Sequence, residues 1–169
     1  MTIQIGDTLP AATLWYAAPH PNEPAACAAP EVIKTNEYFK GKKVVIFAVP
    51  GAFTPTCHVT HLPGFLNRAK EIKGKGVDAI VCLCTDDVFV MEAWGKSVGN
   101  KDRLMMVSDG NGELIQALGL SQDLTRLGLG PNRAQRFALI IDDLKVTYVG
   151  VEGGGEVTVS GADAVLAKL

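Results

Sequence analysis

The sequence predicts an α/β protein with a mixed central sheet flanked by helices. Four short segments are continuously apolar rather than alternating, which is typical of strands buried on both faces; they cover residues 44–49, 79–83, 104–107 and 137–141. Between the first two, apolar residues at i, i+3, i+4 and i+7 indicate a helix that ends at Gly74 and Gly76, which completes a βαβ unit. Segment 137–151 predicts a hairpin that turns at Asp142 and Asp143, so the sheet is expected to be mixed.

Further helices follow from the same kind of pattern. Asp86 or Asp87 is a suitable N-cap for a second helix, which is predicted to end at Gly99 and Asn100. Its predicted buried face contains Phe89, Val90, Ala93 and Trp94. A short helix is predicted over about 112–118, and a closing helix should begin at a capping box formed by Ser160 and Asp163. The segment rich in proline and alanine over 17–30 is expected to be a loop.

Composition limits the class of protein. The 169 residues are predicted to form a single domain over 1–169, because 47% hydrophobic and 20% charged residues are ordinary values for a chain with a full core. A net charge of −2 gives no reason to expect a nucleic-acid or anionic-membrane partner. No apolar run approaches the roughly 20 residues that span a bilayer. The four cysteines are too few and too unevenly spread for a secreted disulfide framework, so we expect reduced thiols and a cytoplasmic location.

A candidate nucleophile lies where the first apolar segment meets the first helix. Segment 49–58 reads Val-Pro-Gly-Ala-Phe-Thr-Pro-Thr-Cys-His and places Cys57 at the start of that helix. The free N–H groups and the positive dipole end of a helix N-terminus favour a thiolate. Pro55 suits the first helical turn, and the hydroxyls of Thr54 and Thr56 can donate to a nearby sulfur or oxygen. A free cysteine usually only packs, but this position and these neighbours favour nucleophilic catalysis.

The same segment carries a resemblance to a known family. Residues from Pro50 to Cys57, followed by His-Leu-Pro-Gly-Phe from His61, resemble the signature of the peroxiredoxins, specifically of the type II group that is similar to peroxiredoxin five. The resemblance extends over essentially the whole chain and includes segments 76–78, 89–96, 136–139 and 152–169. It implies a thioredoxin-like fold. It also implies a thiol-dependent peroxidase that reduces hydrogen peroxide and alkyl hydroperoxides through a cysteine sulfenic acid, without a metal or an organic cofactor.

The resemblance implies a role for several residues of the site. Cys57 corresponds to the peroxidatic cysteine, Thr54 to its hydroxyl partner, and Pro50 to the residue that shields the pocket. Arg136 matches the catalytic arginine of the family. Because a guanidinium is always cationic, it would favour the thiolate and could donate to both sulfur and peroxide. Taken alone, this arginine would be expected to be solvated at a strand end. Arg133 is a weaker candidate that could lie further from the sulfur.

A sulfenic acid at Cys57 would condense with a second thiol. A chain that follows a helix and returns along a strand brings residues 82–84 level with Cys57. Packed layers lie about 8–10 Å apart, whereas a disulfide needs Cα atoms within about 7 Å, so the first helical turn would have to unwind. Cys82 follows Cys57 at the spacing of the resolving cysteine in plant-type members, which implies that role for Cys82. Cys84 points the same way and stays an alternative, as does direct reduction by an external thiol. Cys27 has no positional match.

Two histidines near the cysteine require separate interpretations. His58 departs from the family, where a small hydroxyl residue is common; we expect its side chain to face solvent, the alternative being that it tunes the thiolate. His61 lies on the same helix face as Cys57 and is expected to be a structural histidine bonded to backbone.

Two other functions are less compatible with this sequence than a peroxidase. A zinc site is disfavoured because the usual Cys-x₂₋₄-Cys and His-x₃₋₅-His pairs are absent. A redox-regulated binding or chaperone module with little turnover is the main alternative. The resemblance further implies thioredoxin, glutaredoxin or glutathione as the reductant, and a homodimer. Exposed Phe53 or Trp94 side chains would be consistent with the dimer contact, although either residue type is more often part of the core.

Overall fold

The computed structural model describes all 169 residues, Met1–Leu169, and a seven-stranded mixed sheet forms its centre. The strands are β1 (Thr13–Tyr16), β2 (Glu31–Lys34), β3 (Lys43–Ala48), β4 (Ala79–Cys84), β5 (Met105–Ser108), β6 (Ser121–Gln122), β7 (Arg133–Ala134), β8 (Phe137–Asp142) and β9 (Lys145–Val151). The order in the central sheet is β2-β1-β5-β4-β3-β8-β9, and β6 pairs with β7 separately.

Five α-helices and two short turns of other helix types complete the fold. The helices are α1 (Thr35–Tyr38), α2 (Leu62–Gly74), α3 (Val88–Ser97), α4 (Glu113–Ala117) and α5 (Ala162–Leu166). A π-helical turn at Cys57–His61 leads directly into α2, and a 3₁₀ turn lies at Thr125–Leu127. No helix has both the length and the apolar character that crossing a bilayer requires.

Both faces of the sheet are covered, which explains why the strands are continuously apolar. Alternate residues of β3 enter two different hydrophobic clusters: Val45 and Phe47 pack with α2, α3 and α5, whereas Val44 and Ile46 pack with α4 on the other face. Each cluster contains 21 buried residues, so neither face is left to solvent. The four apolar segments are therefore confirmed as central strands.

The strand register brings distant segments to one edge of the sheet. β3, β4 and β5 run parallel, through crossovers that contain α2 and α3. β8 runs antiparallel to β3, and its first residue, Phe137, lies opposite Ala48, the last residue of β3. The segment after β3 and the segment before β8 therefore meet. Ligand sites of α/β folds lie at the carboxyl ends of parallel strands.

The hairpin of β8 and β9 confirms the predicted mixed sheet. Its turn residues are Asp143 and Leu144, with φ of +44° and +68°. The turn is thus centred one residue later than predicted. A left-handed conformation at both central positions matches the twist of the flanking strands.

The predicted buried face of α3 is largely wrong. Of the two predicted N-cap residues, Asp87 is the one observed, and its side chain accepts hydrogen bonds from two backbone N–H groups. The buried residues are Val88, Met91, Glu92, Trp94 and Gly95, whereas Phe89 and Ala93 are exposed and Val90 is half-buried. Nearly every residue from 88 to 94 is apolar, so the sequence pattern did not fix which face turns toward β5.

The predicted capping box of α5 is also wrong. Gly161 is the N-cap and offers no side-chain bond. The Ser160 hydroxyl instead donates to Oε1 of Glu152 at 2.7 Å. A carboxylate with little access to water requires such donors. The Ser160 hydroxyl is therefore bonded to Glu152 and does not cap the helix.

Candidate active site

Cys57 lies where β3 leads into α2. The helical turn opens with Pro55 and Thr56, and Cys57 starts the π-helical stretch that follows. Only 1% of its surface is exposed, and it packs in the same cluster as Phe47 and Phe65. The cysteine is therefore a buried thiol within the first turn of a helix, where the peptide dipole favours the anionic form of the sulfur.

Arg136 is the cation beside this sulfur. Its Nη2 donates to Sγ of Cys57 at 3.3 Å, and only 5% of its surface is exposed. It occupies this place because Phe137, the next residue, pairs with the last residue of β3. Arg136 is therefore not a solvated arginine at a strand end, which is what its sequence position alone would suggest. The Nε of Arg136 is buried and has no hydrogen-bond partner in the protein.

His61 fixes the orientation of the guanidinium. Nη1 of Arg136 lies 3.1 Å from Nδ1 of His61, and Nε2 of His61 lies 2.9 Å from the carbonyl oxygen of Ser160. Since arginine can only donate, Nδ1 is the acceptor and Nε2 carries the proton that is donated to Ser160. Burial first, and then the nearby Arg136 charge, lower the pKa of His61 to about 4, although the bond to Ser160 opposes this shift. The prediction of a structural histidine bonded to backbone is confirmed.

Glu152 holds the Ser160 end of this chain of hydrogen bonds. Its carboxylate accepts four bonds of 2.6–2.7 Å from the backbone N–H groups and hydroxyls of Thr158 and Ser160. Burial alone would raise the pKa of Glu152, but these bonds outweigh it and lower that pKa to about 2. Sequence reasoning missed this contribution because Ser160 was interpreted as part of a helix cap.

The loop between β3 and the π-helical turn Cys57–His61 is tightly folded. The Thr54 hydroxyl donates to the carbonyl of Gly51 at 2.8 Å, so its lone pairs are left to accept from a ligand. A Cβ at Gly51 would lie 3.0 Å from Cγ2 of Thr54, which explains the glycine there. Pro50, the residue expected to shield the pocket, is half-buried two residues after the end of β3. No hydrogen bond joins Thr54 to Cys57 in the structure.

Asp86 anchors the same loop and was not identified as a site residue from the sequence. Its Oδ2 accepts from the Ala52 N–H at 2.7 Å and from the Cys84 thiol at 3.1 Å, and its Oδ1 pairs with Nη1 of Arg133 at 2.7 Å. Burial alone would raise the pKa of Asp86, but the bonds from Ala52 and Arg133 lower it. Nη1 of Arg133 also lies 3.4 Å from the carbonyl oxygen of Pro50. Arg133 thus contacts the loop rather than the sulfur.

The other three cysteines have distinct environments. Cys82 and Cys84 are both fully buried in the cluster that contains Cys57, so they share a face of the sheet as predicted. Burial raises the pKa of both thiols, and the Asp86 carboxylate raises that of Cys84 further. Cys27 lies in the 17–30 loop, and its thiol donates to Oε2 of Glu92 at 3.0 Å. All four thiols are free.

His58 does not simply face solvent, as the sequence led us to expect. Its Nδ1 accepts a hydrogen bond of 2.8 Å from Nε1 of Trp94, on α3. Its ring also stacks on Phe53, with ring centroids 5.8 Å apart. The two histidines after Cys57 thus have different partners, His58 on α3 and His61 at Arg136.

Comparison with known proteins agrees with this geometry. The Redoxin family model matches residues 4–166. The chain is 44% identical over 167 residues to "Peroxiredoxin-2D" of Arabidopsis thaliana, which covers 99% of this chain and 98% of that protein. It is 55% identical over 129 residues to "Peroxiredoxin-2B" of the same plant, which covers 76% of this chain and 79% of that one. The solved structure of reduced Prx3 from Vibrio vulnificus in complex with H₂O₂ is 42% identical, has a TM-score of 0.86 and covers 98% of each chain.

The chain belongs to the redoxin family, and within it to the type II peroxiredoxins. The predicted thioredoxin-like fold is therefore confirmed. The protein is a thiol-dependent peroxidase, an oxidoreductase that acts on hydroperoxides and is regenerated by a thiol reductant.

Proposed function

We propose that Cys57 is the peroxidatic cysteine and that Arg136 activates it. The observation that carries this assignment is the 3.3 Å hydrogen bond from Nη2 of Arg136 to Sγ of Cys57, between two buried side chains. A fixed positive charge at this distance, together with the helix N-terminus, favours the thiolate before any substrate arrives.

The chemical step follows from this arrangement. The thiolate of Cys57 attacks one peroxide oxygen, the O–O bond breaks, and the sulfur becomes a sulfenic acid. The leaving oxygen takes up the proton that was released when the thiol ionised, which gives water or an alcohol. Negative charge grows on that oxygen as the bond stretches, and the buried, unpartnered Nε–H of Arg136 is a donor available to it. Thr54, whose hydroxyl proton is engaged by Gly51, supplies an acceptor for the peroxide O–H. Pro50 shields the entrance.

Cys82 is the resolving thiol in this proposal. Its sulfur attacks the sulfenic acid, an S–S bond forms, and water leaves. Cys82 and Cys84 both pack in the buried cluster that contains Cys57, but the thiol of Cys84 is engaged with Asp86. This difference favours Cys82. Because Cys57 lies on a helix and Cys82 on a strand, the first helical turn must open before the two sulfurs can bond.

External partners complete the cycle. The disulfide is reduced by a dithiol or thiol donor of the thioredoxin, glutaredoxin or glutathione kind, in a cytoplasmic compartment. Exposed apolar side chains near the catalytic turn support a homodimer: Phe53 is 51% exposed and Val59 72% exposed. Trp94 is fully buried and is therefore not available to such a contact.

Intact mass spectrometry after one equivalent of hydrogen peroxide tests the cycle. Wild type should lose two hydrogens, Cys82→Ser should gain one oxygen, and Cys57→Ser should keep its mass and consume no peroxide. Equal peroxide consumption by wild type and Cys57→Ser would refute the assignment of Cys57 and would favour a binding or chaperone module.

A further inference from the structure

The residue directly after the nucleophile is tied to a neighbouring helix. Nδ1 of His58 accepts a hydrogen bond of 2.8 Å from Nε1 of Trp94. Trp94 is fully buried in the middle of α3, so this partner is held firmly. His58 belongs to the π-helical turn Cys57–His61. The bond therefore connects the turn that carries the reactive sulfur to a rigid part of the core.

A third ring closes the arrangement. Phe53 stacks on His58 with ring centroids 5.8 Å apart and planes inclined by 20°, and its centroid lies 6.2 Å from that of Trp94. Phe53 itself has φ of +60°, a left-handed conformation that a bulky residue rarely adopts. The contacts with the two other rings offset the strain of that conformation. The loop and the first turn are thus joined to α3.

We propose that the hydrogen bond between His58 and Trp94, here named the His58–Trp94 latch, controls how fast the sulfenic acid of Cys57 is resolved. This inference rests on the proposed role of Cys82 as the resolving thiol. His58 and Trp94 are positioning residues: they act on Cys57 through the conformation of its helical turn, and they do not contact the peroxide.

The physical reason is that resolution and peroxide reduction require different conformations of the same turn. Peroxide reduction uses the closed turn, with Cys57 held against Arg136. Bond formation with Cys82 requires the turn to open, because helix and sheet layers are too far apart for a disulfide. Opening must break the latch, and a neutral hydrogen bond of this kind alters such an equilibrium by roughly 2- to 10-fold.

The latch also determines how the sulfenic acid is partitioned. While the turn is closed, the sulfenic acid can meet a second peroxide and go on to the sulfinic acid, which is generally irreversible. A latch that delays opening therefore lengthens the exposure of the sulfenic acid to peroxide. Breaking it should speed disulfide formation and raise, by the same factor, the peroxide concentration at which half of the protein becomes over-oxidised.

Four variants isolate the hydrogen bond. Trp94→Phe removes the donor and keeps an aromatic ring, and His58→Ser removes the acceptor. His58→Asn is the conservative variant, because its amide oxygen can take the place of Nδ1. Thr60→Ser is the matched control, since Thr60 lies on the same turn, is exposed and has no part in the proposed contacts. Rapid acid quenching after one equivalent of hydrogen peroxide, followed by intact mass analysis, gives the rate of conversion from sulfenic acid to disulfide.

We expect Trp94→Phe and His58→Ser each to accelerate this conversion by roughly 2- to 10-fold. The double variant should be no faster than either single variant, because both remove the same bond. His58→Asn should stay within about twofold of wild type, and Thr60→Ser should match wild type. Unchanged or slower conversion in both single variants, or effects that multiply in the double variant, would overturn the proposal.

Failure of the Cys82 assignment can be told apart from failure of the latch. If wild type formed no disulfide, the proposed resolving role would be wrong, and the latch would be judged by amide hydrogen exchange of residues 57–61. Exchange there should then be roughly 2- to 10-fold faster in Trp94→Phe than in wild type. Equal exchange rates would overturn the latch itself.

Discussion

Replacing Arg136 by methionine is the most direct test of how the site activates its sulfur. Methionine keeps much of the side-chain volume and removes the charge and every donor. The thiolate of Cys57 would then lie in a nearly dry site without its nearest cation, which lies 3.3 Å from the sulfur in wild type. The anionic form should therefore become harder to reach, and peroxide reduction should slow with it.

The size of the effect follows from the geometry. Unit charges at this separation interact by about 5 kcal/mol at an effective dielectric constant of about 20, which is an upper bound on what the variant loses. The helix N-terminus is retained in the variant, and an opposite charge at close range typically changes the population of an anion by a factor of roughly 10 to 1000. We therefore expect iodoacetamide to alkylate Cys57 roughly 10- to 1000-fold more slowly at pH 7. Losing transition-state donors should slow peroxide reduction by a factor of about 100 or more.

The assay is the rate of iodoacetamide labelling at pH 7, with peptide mapping so that Cys57 is followed separately from the other thiols. Arg126→Met is the control, because it removes an equal charge from an exposed position in the 3₁₀ turn. A labelling rate of Cys57 in Arg136→Met that equals the wild-type rate, with a thermal unfolding curve like that of wild type, would refute the role of the guanidinium.

Three further predictions concern the surroundings of the sulfur. Cys84→Ser should still form the internal disulfide after one equivalent of peroxide; its absence by intact mass analysis would move the resolving role from Cys82 to Cys84. The pKa of His61 is lowered to about 4 in the folded state, so the unfolded chain takes up that proton first and stability falls as pH drops from about 6.5 to 4, by roughly 3 kcal/mol. Urea unfolding of His61→Asn should show a flatter profile over this range, whereas His20→Asn should keep the wild-type slope. Asp86→Ala should lower the free energy of unfolding by about 1–3 kcal/mol and slow peroxide reduction, since the Ala52 N–H and Arg133 lose their partner; wild-type values for both measurements would contradict its role as the anchor of the loop.

Much of the fold could be predicted because burial on both faces leaves a clear mark on a strand. The apolar runs gave the central strands, and Gly74 and Gly76 marked the end of the first helix. The two outermost strands on one side of the sheet, β1 and β2, were missed, since they are short and their composition differs little from that of loops. The phase of α3 was missed for the opposite reason: a helix that is apolar on most sides has no distinct buried stripe.

The site was predictable where the chemistry is local in sequence. Cys57, Thr54 and Pro50 lie within a few residues of one another at the end of a strand, and the position of a helix N-terminus could be inferred from Pro55. Arg136 could be predicted only from the family resemblance. It reaches Cys57 because β8 pairs with β3, and no local sequence pattern indicates that pairing.

The hydrogen bonds that hold the residues around Cys57 could not be predicted from the sequence, for a related reason. The side-chain hydrogen bonds that tie His61 to Ser160, Asp86 to Ala52 and His58 to Trp94 join residues 99, 34 and 36 positions apart. Such pairs arise from packing, and a single sequence carries no periodicity that would reveal them.

The antiparallel register between β3 and β8 has a consequence for the chain before it is folded. The sulfur of Cys57 and the guanidinium of Arg136 are 79 residues apart in sequence and come together only when β8 joins β3. A nascent or unfolded chain therefore carries an ordinary cysteine in place of the active one. Reactivity toward peroxide appears with the native sheet, so the protein is spared oxidation of its own nucleophile until the structure that can repair that oxidation exists.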